Sequence, residues 1–417
     1  MNRIAVVGAG IVGLATAYEL WRKGFEVAIY EAGDKAGQLT SKANGAQLSY
    51  SFVSPLASPD VLRSLHALLV NRRGALRLHP RFDLAQLRWL LAFLAACSAT
   101  KHRQGAADLL ELGQASRDAL NDLLQAHPLE FSHKQTGKLQ VFESKATYDD
   151  TRRAQTILLR SQGIEQQSLS PEEAIQLEPS LAPIAHRIVG ALFTPSEQTG
   201  DCEQLCLRLS ELLRVKGVHV HFNTPITSLC RDSKGMLLAF HGDEAIKTDA
   251  IVLANGTAAQ GLARSVGVDL GIYPLRGYSL TYPVDEQSGA PQLSISDIRN
   301  KVVYAPIDGH LRVAGMIDIG VNHPRAVSER IHTLKQQVKD FYPALRPSGE
   351  PLAWSGERPA RPTSKPLIGA TRVPGLFVNV GHGALGFTLA FGSARLLAET
   401  LSKQPGDAAR LAPRFSM

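Results

Sequence analysis

The tightest constraint on this chain is a glycine pattern close behind an apolar run. Ile4-Ala5-Val6-Val7 leads directly into Gly8-Ala9-Gly10-Ile11-Val12-Gly13. Such a short apolar run reads as a parallel strand buried on both faces. Residues 11–23 carry a helical pattern that breaks at Gly24, and Phe25–Glu31 reads as a second strand. The segment is therefore β-α-β with a glycine-rich first turn. In such a turn the first glycine permits a tight reversal. The second lets backbone approach a pyrophosphate, and the third lets the helix pack closely on the strand. The helix N-terminus adds N–H donors and the positive end of its dipole. Glu31 lies 18 residues past Gly13, at the end of the second strand. A carboxylate there accepts from ribose hydroxyls and disfavours a 2′-phosphate. The segment predicts a dinucleotide site and argues against NADP. Alone it does not separate FAD from NAD.

A second glycine-rich turn, over 360 residues downstream, separates them. Leu376-Phe-Val-Asn-Val380 reads as a strand, and Gly381-His382-Gly383-Ala384-Leu385-Gly386-Phe387-Thr388 as a turn and helix start. An NAD site is normally served by one contiguous domain. A helix N-terminus placed here would instead stabilise negative charge on the pyrimidine edge of a reduced flavin. Ile251-Val-Leu-Ala254, ending in Asn255-Gly256, is a third buried strand of the nucleotide type. Such strands thus occur at the start, middle and end of the chain, with helices and β-rich stretches between. The expected fold is two-lobed α/β, with a Rossmann-like FAD-binding domain interleaved with a β-sheet-plus-helices substrate domain. The expected boundaries are 1–79, 187–268 and 350–417 for the first, and 80–186 and 269–349 for the second.

Composition excludes several classes. The 417 residues are 44% hydrophobic and 20% charged, as in a globular chain, and 4 cysteines do not make a disulfide scaffold. No apolar run approaches the length of a membrane span; Leu84–Cys97 is too short and contains Arg88. The N-terminus has no secretory core, so the expected location is the cytoplasmic side. Cys202 and Cys206 lack a matching second pair, and His219 and His221 lack a third ligand nearby, so no metal is expected. No recognition motif accompanies the basic charge, so no nucleic-acid partner is expected.

The sequence resembles the D-amino-acid-oxidase-type flavoproteins over nearly its whole length, most closely the dehydrogenase small-subunit branch. Besides the two glycine turns and Glu31, the resemblance rests on Thr40–Ser49, Arg88–Cys97, Glu197–Asp201, Pro274–Thr281, Arg312–Gly315 and Trp354–Pro359. It implies FAD as cofactor and a free amino acid, a D-amino acid by this branch, as substrate. Ser41, Ala43, Asn44, Gly45, Ala46 and Gln47 would line the flavin, Ile226 would meet the adenosine, and Gly383–Thr388 the pyrimidine edge. Asn255, Gly256 and His382 join the expected cofactor set. Arg358 of Gly356-Glu357-Arg358-Pro359 would hold the substrate carboxylate, a task suited to a guanidinium fork. Tyr278 and Tyr304 are candidates for the substrate-side wall, with a core aromatic as the alternative reading of each. The sequence departs from the family pattern at Ala32, Glu357 and Thr363. A second acid at Glu357 would favour a substrate with an extra positive group or an imino acid. No cysteine follows Cys230 and no histidine precedes His66, so FAD is expected to be non-covalent.

The implied reaction is oxidative deamination by hydride transfer to flavin N5, giving a 2-oxo acid and ammonia. Electrons would pass to a membrane quinone or other acceptor. The alternatives are a soluble oxidase using oxygen and a non-catalytic FAD-binding partner subunit. One local feature bears on the acceptor. Residues 61–104 hold eight basic residues (Arg63, Arg72, Arg73, Arg77, Arg81, Arg88, Lys101, Arg103) against one acid, Asp83. With Trp89, Leu90, Leu91, Phe93 and Leu94 they suit either peripheral docking on an anionic membrane or a lid packed on the core.

Overall fold

The computed structural model describes residues 2–63, 71, 74–232, 237–321, 323–402 and 407–417. Arg72 and Arg73 of the basic segment lie outside them.

Two sheets organise the chain. The first has six strands in the order Leu367–Ala370, Leu376–Val380, Ala250–Leu253, Arg3–Val7, Glu26–Tyr30 and His219–His221, all parallel except the Leu367–Ala370 edge. The apolar run at the N-terminus thus lies in the middle of the sheet, which is why it carries no alternating pattern. Helices Ile11–Arg22, Cys202–Val215 and Gly386–Ser402 cover one face, and Ala99–Ala126 packs on Gly386–Ser402. Helix Ala259–Ser265 and a three-stranded sheet cover the other face. Successive strands go to opposite sides of Arg3–Val7, which makes its carboxyl end a crevice.

The second sheet has nine strands. Its order runs Leu352–Ala360, Tyr273–Pro283, His310–Ile319, Val302–Ile307, Ser294–Asp297, Lys138–Phe142, Gly190–Thr194 and Gln167–Leu169, with Leu76–Leu78 also paired to His310–Ile319. Helix Pro324–Phe341 closes its apolar side through Leu334, Val338 and Phe341.

Several expected boundaries shift. Leu76–Leu78, Gly190–Thr194 and Leu352–Ala360 fall in the stretches assigned to the nucleotide unit, yet they pair in the nine-stranded sheet. Helix Ala99–Ala126, assigned to the substrate unit, packs in the core of the first sheet. Strand partners and helix docking are long-range choices that local pattern does not encode.

Helix Leu84–Ala96 divides its apolar residues between two faces. Trp89 and Phe93 are buried, stack at 5.0 Å and pack beside Tyr273, Leu275 and Ala360. The Trp89 indole N–H also donates to the Ala360 carbonyl at 3.0 Å. Burying each of these rings contributes about 1.5–3 kcal/mol. Leu84, Leu87 and Leu91 lie on the outer face and are exposed, as is Phe82 just before the helix.

Candidate active site

The glycine turn takes its shape from packing that only glycine permits. A Cβ on Gly13 would collide with the Gly8 carbonyl oxygen, so helix Ile11–Arg22 can leave the strand only with glycine there. Gly8 has φ +104°, and a Cβ on it would lie 2.9 Å from Asn255 Cα. Gly10 caps the helix without a side-chain hydrogen bond, and the first turn holds no acid. Ser41 Oγ accepts from the Ile11 N–H at 3.1 Å. The Glu31 carboxylate accepts from the Ala9 N–H at 2.6 Å and the Gly33 N–H at 2.8 Å. It is thereby fixed at the strand end with lone pairs to spare.

This turn opens on a cavity of about 1340 Å³ that both sheets help to line. Every residue expected at the cofactor lines it except Ala9, Gly13 and Ala46. Ala9 and Gly13 shape the turn from behind. Ala46 has φ +53° and accepts from the Gly200 N–H at 3.0 Å through its carbonyl, so it sets the course of the wall from outside. The cavity fits a dinucleotide: a glycine cradle, a helix N-terminus whose Gly10 cap offers no side-chain acceptor, and a buried Asn255 Oδ1 with no hydrogen-bond partner among the described residues.

The nine-stranded sheet grips the wall segment 40–47 through backbone oxygens. Ser279 Oγ donates to the Ala43 carbonyl at 2.7 Å, and Arg312 Nη1 to the Asn44 carbonyl at 3.1 Å. Thr40 Oγ1 in turn donates to the Glu357 carbonyl at 2.7 Å. The 274–281 and 312–315 motifs therefore meet the 40–49 motif in space. On the far side, the Thr388 hydroxyl is 3.4 Å from the Gln47 carbonyl and the same distance from the Ser49 N–H.

Arg358 sits in the cavity wall on strand Leu352–Ala360, opposite Leu275. No carboxylate pairs with it among the described residues. Burial pushes its guanidinium down to about 10, opposed by the nearby Tyr278 hydroxyl, so it stays charged at neutral pH. Tyr278 also lines the cavity. Its hydroxyl donates to Asp318 Oδ2 at 2.8 Å, and Asp318 Oδ1 pairs with Arg330 Nη2 at 2.8 Å. Burial and the Asp318 charge raise the Tyr278 pKa, so the proton stays on the phenol. With that proton committed to Asp318, the phenol oxygen can only accept from a further partner. Met316, Ile317 and Trp354 supply apolar wall beside it.

Two expectations are corrected. Tyr304 does not line the cavity: it is fully buried on the other face of its strand, stacked 5.2 Å from Phe341 and edge-on to Tyr342 at 4.9 Å. Strand alternation turns its neighbour Val303 to the cavity instead. Glu357 is also turned away from the cavity and pairs with Arg276 at 2.7 Å, so it is no second acid for the substrate. His382 lines the cavity as expected; its imidazole is bound to Ser393 Oγ at 3.0 Å and burial pushes it down to about 3, which keeps it neutral.

Three buried charged residues near the site were not anticipated. Asp318 and Arg330 fix Tyr278, and Lys138 lines the cavity itself. A charged residue inside an apolar strand, as in Lys138-Leu-Gln-Val-Phe142, is the signal that was available for Lys138. Among the described residues no cluster of three or more His, Cys, Asp or Glu is placed to hold a metal ion.

The family model described as "DAO: FAD dependent oxidoreductase" matches residues 3–400. Among curated proteins, "D-amino acid dehydrogenase 2" of Ralstonia nicotianae is 42% identical, covering 96% of this chain and 97% of its own. The protein of the same description from Pseudomonas aeruginosa is 41% identical, covering 100% and 99%. Among solved structures, glycine oxidase from Geobacillus kaustophilus superposes with a TM-score of 0.74 at 21% identity, covering 98% of this chain and 96% of its own. L-proline dehydrogenase from P. horikoshii gives 0.73 at 16% identity, covering 100% and 96%. At such identities these two show a shared fold. Matched over residues 3–400 by the family model and over nearly all its length by relatives above 40% identity, the chain belongs to the FAD dependent oxidoreductase (DAO) family, and FAD is its cofactor.

Proposed function

We propose that this protein oxidises the Cα–N bond of a free D-amino acid to an imino acid, which water hydrolyses afterwards to a 2-oxo acid and ammonia. The observation that carries the reading is Arg358: a charged guanidinium in the cavity wall, with no protein carboxylate paired to it among the described residues. A guanidinium fork so placed suits an α-carboxylate. The preference for the D-enantiomer follows the printed names of the curated relatives.

FAD, when bound, supplies the hydride acceptor. The Gly8–Gly13 turn and the helix N-terminus behind it would hold the pyrophosphate, Glu31 the ribose, and residues 41–47 and 383–388 the flavin. Arg358 orients the substrate through its carboxylate. Tyr278, its proton held by Asp318, could act towards the substrate only as an acceptor. The neutral amine supplies the electron push, so no strong protein base is required. Met316, Ile317 and Trp354 keep water from the reacting carbon. An intact Arg358 and Tyr278 favour catalysis over a purely FAD-binding subunit.

For the electron acceptor we favour a membrane quinone over oxygen. Support comes from the outer face of helix Leu84–Ala96. Phe82, Leu84, Leu87 and Leu91 are exposed, with Arg81 and Arg88 exposed among them, in a segment rich in basic residues. No described helix is long and apolar enough to cross a membrane. An apolar face set in basic charge suits peripheral docking on anionic lipid. The buried face of the same helix serves the core, so both readings of this segment have support. Steady-state turnover with a quinone analogue against peroxide release decides the acceptor. Rapid peroxide release with no quinone reduction would reject the quinone. Liposome binding that survives replacement of Phe82, Leu84, Leu87 and Leu91 by Gln would reject the docking face.

A further inference from the structure

Lys138 has no part in the reaction as derived above, yet it is the one lysine buried in the cavity wall among the described residues. It stands on strand Lys138–Phe142, beside Ser294 in the parallel register. Its ammonium donates to Gln47 Oε1 at 2.9 Å and to Ser49 Oγ at 3.0 Å, and lies 4.7 Å from the centre of the Phe52 ring. Two oxygen acceptors and an aromatic face suit the charged form. The Gln47 carboxamide is used at both ends, since its Nε2 donates to Ser294 Oγ at 2.6 Å. Lys138 and Ser294 therefore fix its orientation.

The counter-charge lies one layer further back. Glu197 is buried, opens the 197–201 motif, and accepts from the Ser51 N–H at 3.2 Å through Oε1. Its Oε2 has no hydrogen-bond partner among the described residues. It forms no direct ion pair with Lys138 there, yet the two charges oppose each other's loss. Burial pushes the lysine down and the carboxyl up, and each is partly held back by the other. The rest of the motif pairs with the same wall: Thr199 with Gln47, Gln198 with Leu48, and the Gly200 N–H with the Ala46 carbonyl. A buried cation thus stands behind residues 47–49, where that segment meets Thr388.

We propose that Lys138, balanced by the buried carboxylate of Glu197, sets the electrostatic potential of the flavin end of the cavity and so the affinity of the bound oxidised cofactor for electrons. This rests on the reading that residues 41–47 and 383–388 face the flavin. Hydride transfer brings two electrons and one proton to the ring system, which gains negative charge. A fixed cation in a water-poor wall favours that gain, and a carboxylate behind it weakens the effect. Lys138 is therefore a charge-setting residue in the wall, and Glu197 is a positioning residue that acts through it.

The test uses the purified, FAD-loaded protein and the variants Lys138→Met, Lys138→Arg and Glu197→Gln. Two quantities are read from the flavin spectrum: the two-electron midpoint potential by dye equilibration, and the dissociation constant for sulfite, an anion that adds to oxidised flavin. Lys138→Met is expected to reduce the equilibrium for electron uptake at least about tenfold, which is about 30 mV for a two-electron couple. Sulfite affinity should fall with it. Lys138→Arg should stay within about threefold of the parent, and Glu197→Gln should shift both quantities the opposite way. A Lys138→Met protein that holds FAD stoichiometrically with both quantities within twofold of the parent overturns the proposal. If Lys138→Met does not hold FAD, Glu197→Gln decides: tighter sulfite binding and a higher potential support the proposal, and no change or the opposite change overturns it. The function proposed above fails separately, when no amino acid reduces the parent flavin while these readouts respond normally.

Discussion

The Arg358 guanidinium lies across Gly277, in the space a side chain there would need. A Cβ on Gly277 would stand 2.5 Å from the guanidinium carbon. Gly277 sits beside Gly356 on the neighbouring strand, at a register shift against His310–Ile319. The missing side chain lets the arginine lie flat on its sheet. Gly277→Ala should therefore displace Arg358 without touching it chemically. Its KM for amino acids should rise about tenfold or more, with a smaller change in kcat. Arg358→Ala should raise KM about 100-fold or more, as expected for lost charge-assisted hydrogen bonds, with FAD retained. Steady-state kinetics with an amino acid and its decarboxylated amine check this. The difference between the two substrates should shrink in both variants, and an unchanged difference would remove Arg358 from the carboxylate site.

Asp318 carries both the orientation of Tyr278 and a fully buried ion pair with Arg330. Asp318→Asn removes a buried counter-charge from Arg330, which costs about 3–5 kcal/mol. Denaturant unfolding should show a loss of that order. Tyr278→Phe removes only a hydroxyl and should lower kcat/KM with a much smaller loss of stability. Equal stability losses in the two variants would show that Asp318 acts on the fold only through Tyr278.

The two later glycines of the first turn make separable predictions. A Cβ on Gly13 strikes backbone, whereas one on Gly10 lies 3.3 Å from the Ser41 hydroxyl and faces the cavity. Gly13→Ala should lower the melting temperature and FAD content together, with a stability loss of about 1–3 kcal/mol from overpacking. Gly10→Ala should keep the fold of the FAD-free protein and weaken FAD binding. Thermal melts of FAD-free protein, with the ratio of flavin to protein absorbance, distinguish the two.

Burial holds His382 neutral, at about 3 against an ordinary value of 6.5. A histidine depressed in the folded state contributes stability that is present above its unfolded pKa and lost as pH falls towards the folded one. Stability should therefore decline from about pH 6.5 downwards, by up to ~1.4 kcal/mol per pH unit from this group. Melting curves from pH 7.5 to 4.5 should show the decline, and His382→Asn should flatten it. An equally steep decline in the variant would assign it to other groups.

The parts of the site legible in the sequence are those written in backbone chemistry. The Gly8–Gly13 turn, Glu31 and the Gly381–Thr388 turn each depend on local geometry, and the sequence states them directly. Arg358 is singled out only by the Gly-x-Arg-Pro pattern that the resemblance supplies, and the structure has it in the cavity wall. Residues whose role depends on strand facing were not legible. Tyr304 and Val303 are neighbours, and only the packing of helix Pro324–Phe341 decides which of them faces the cavity. Glu357 and Arg358 alternate in the same way, and the cross-strand register that gives Glu357 to Arg276 is set 81 residues away. Lys138 looks like an ordinary strand lysine until Gln47 and Ser49, about 90 residues earlier, close over it. In helix Leu84–Ala96 the composition admits a docking segment or a lid, and its division into a buried Trp89–Phe93 face and an exposed leucine face depends on the neighbouring strand.

The central claim is that this cavity brings a free D-amino acid, held by Arg358, to bound FAD. Its most direct test is anaerobic mixing of the FAD-loaded protein with matched D- and L-amino acids while flavin absorbance is followed. D-amino acids should bleach the flavin, their L-enantiomers at the same concentration should not, and Arg358→Ala should need much more substrate. Bleaching by L-enantiomers alone, or by no amino acid at all, would contradict it.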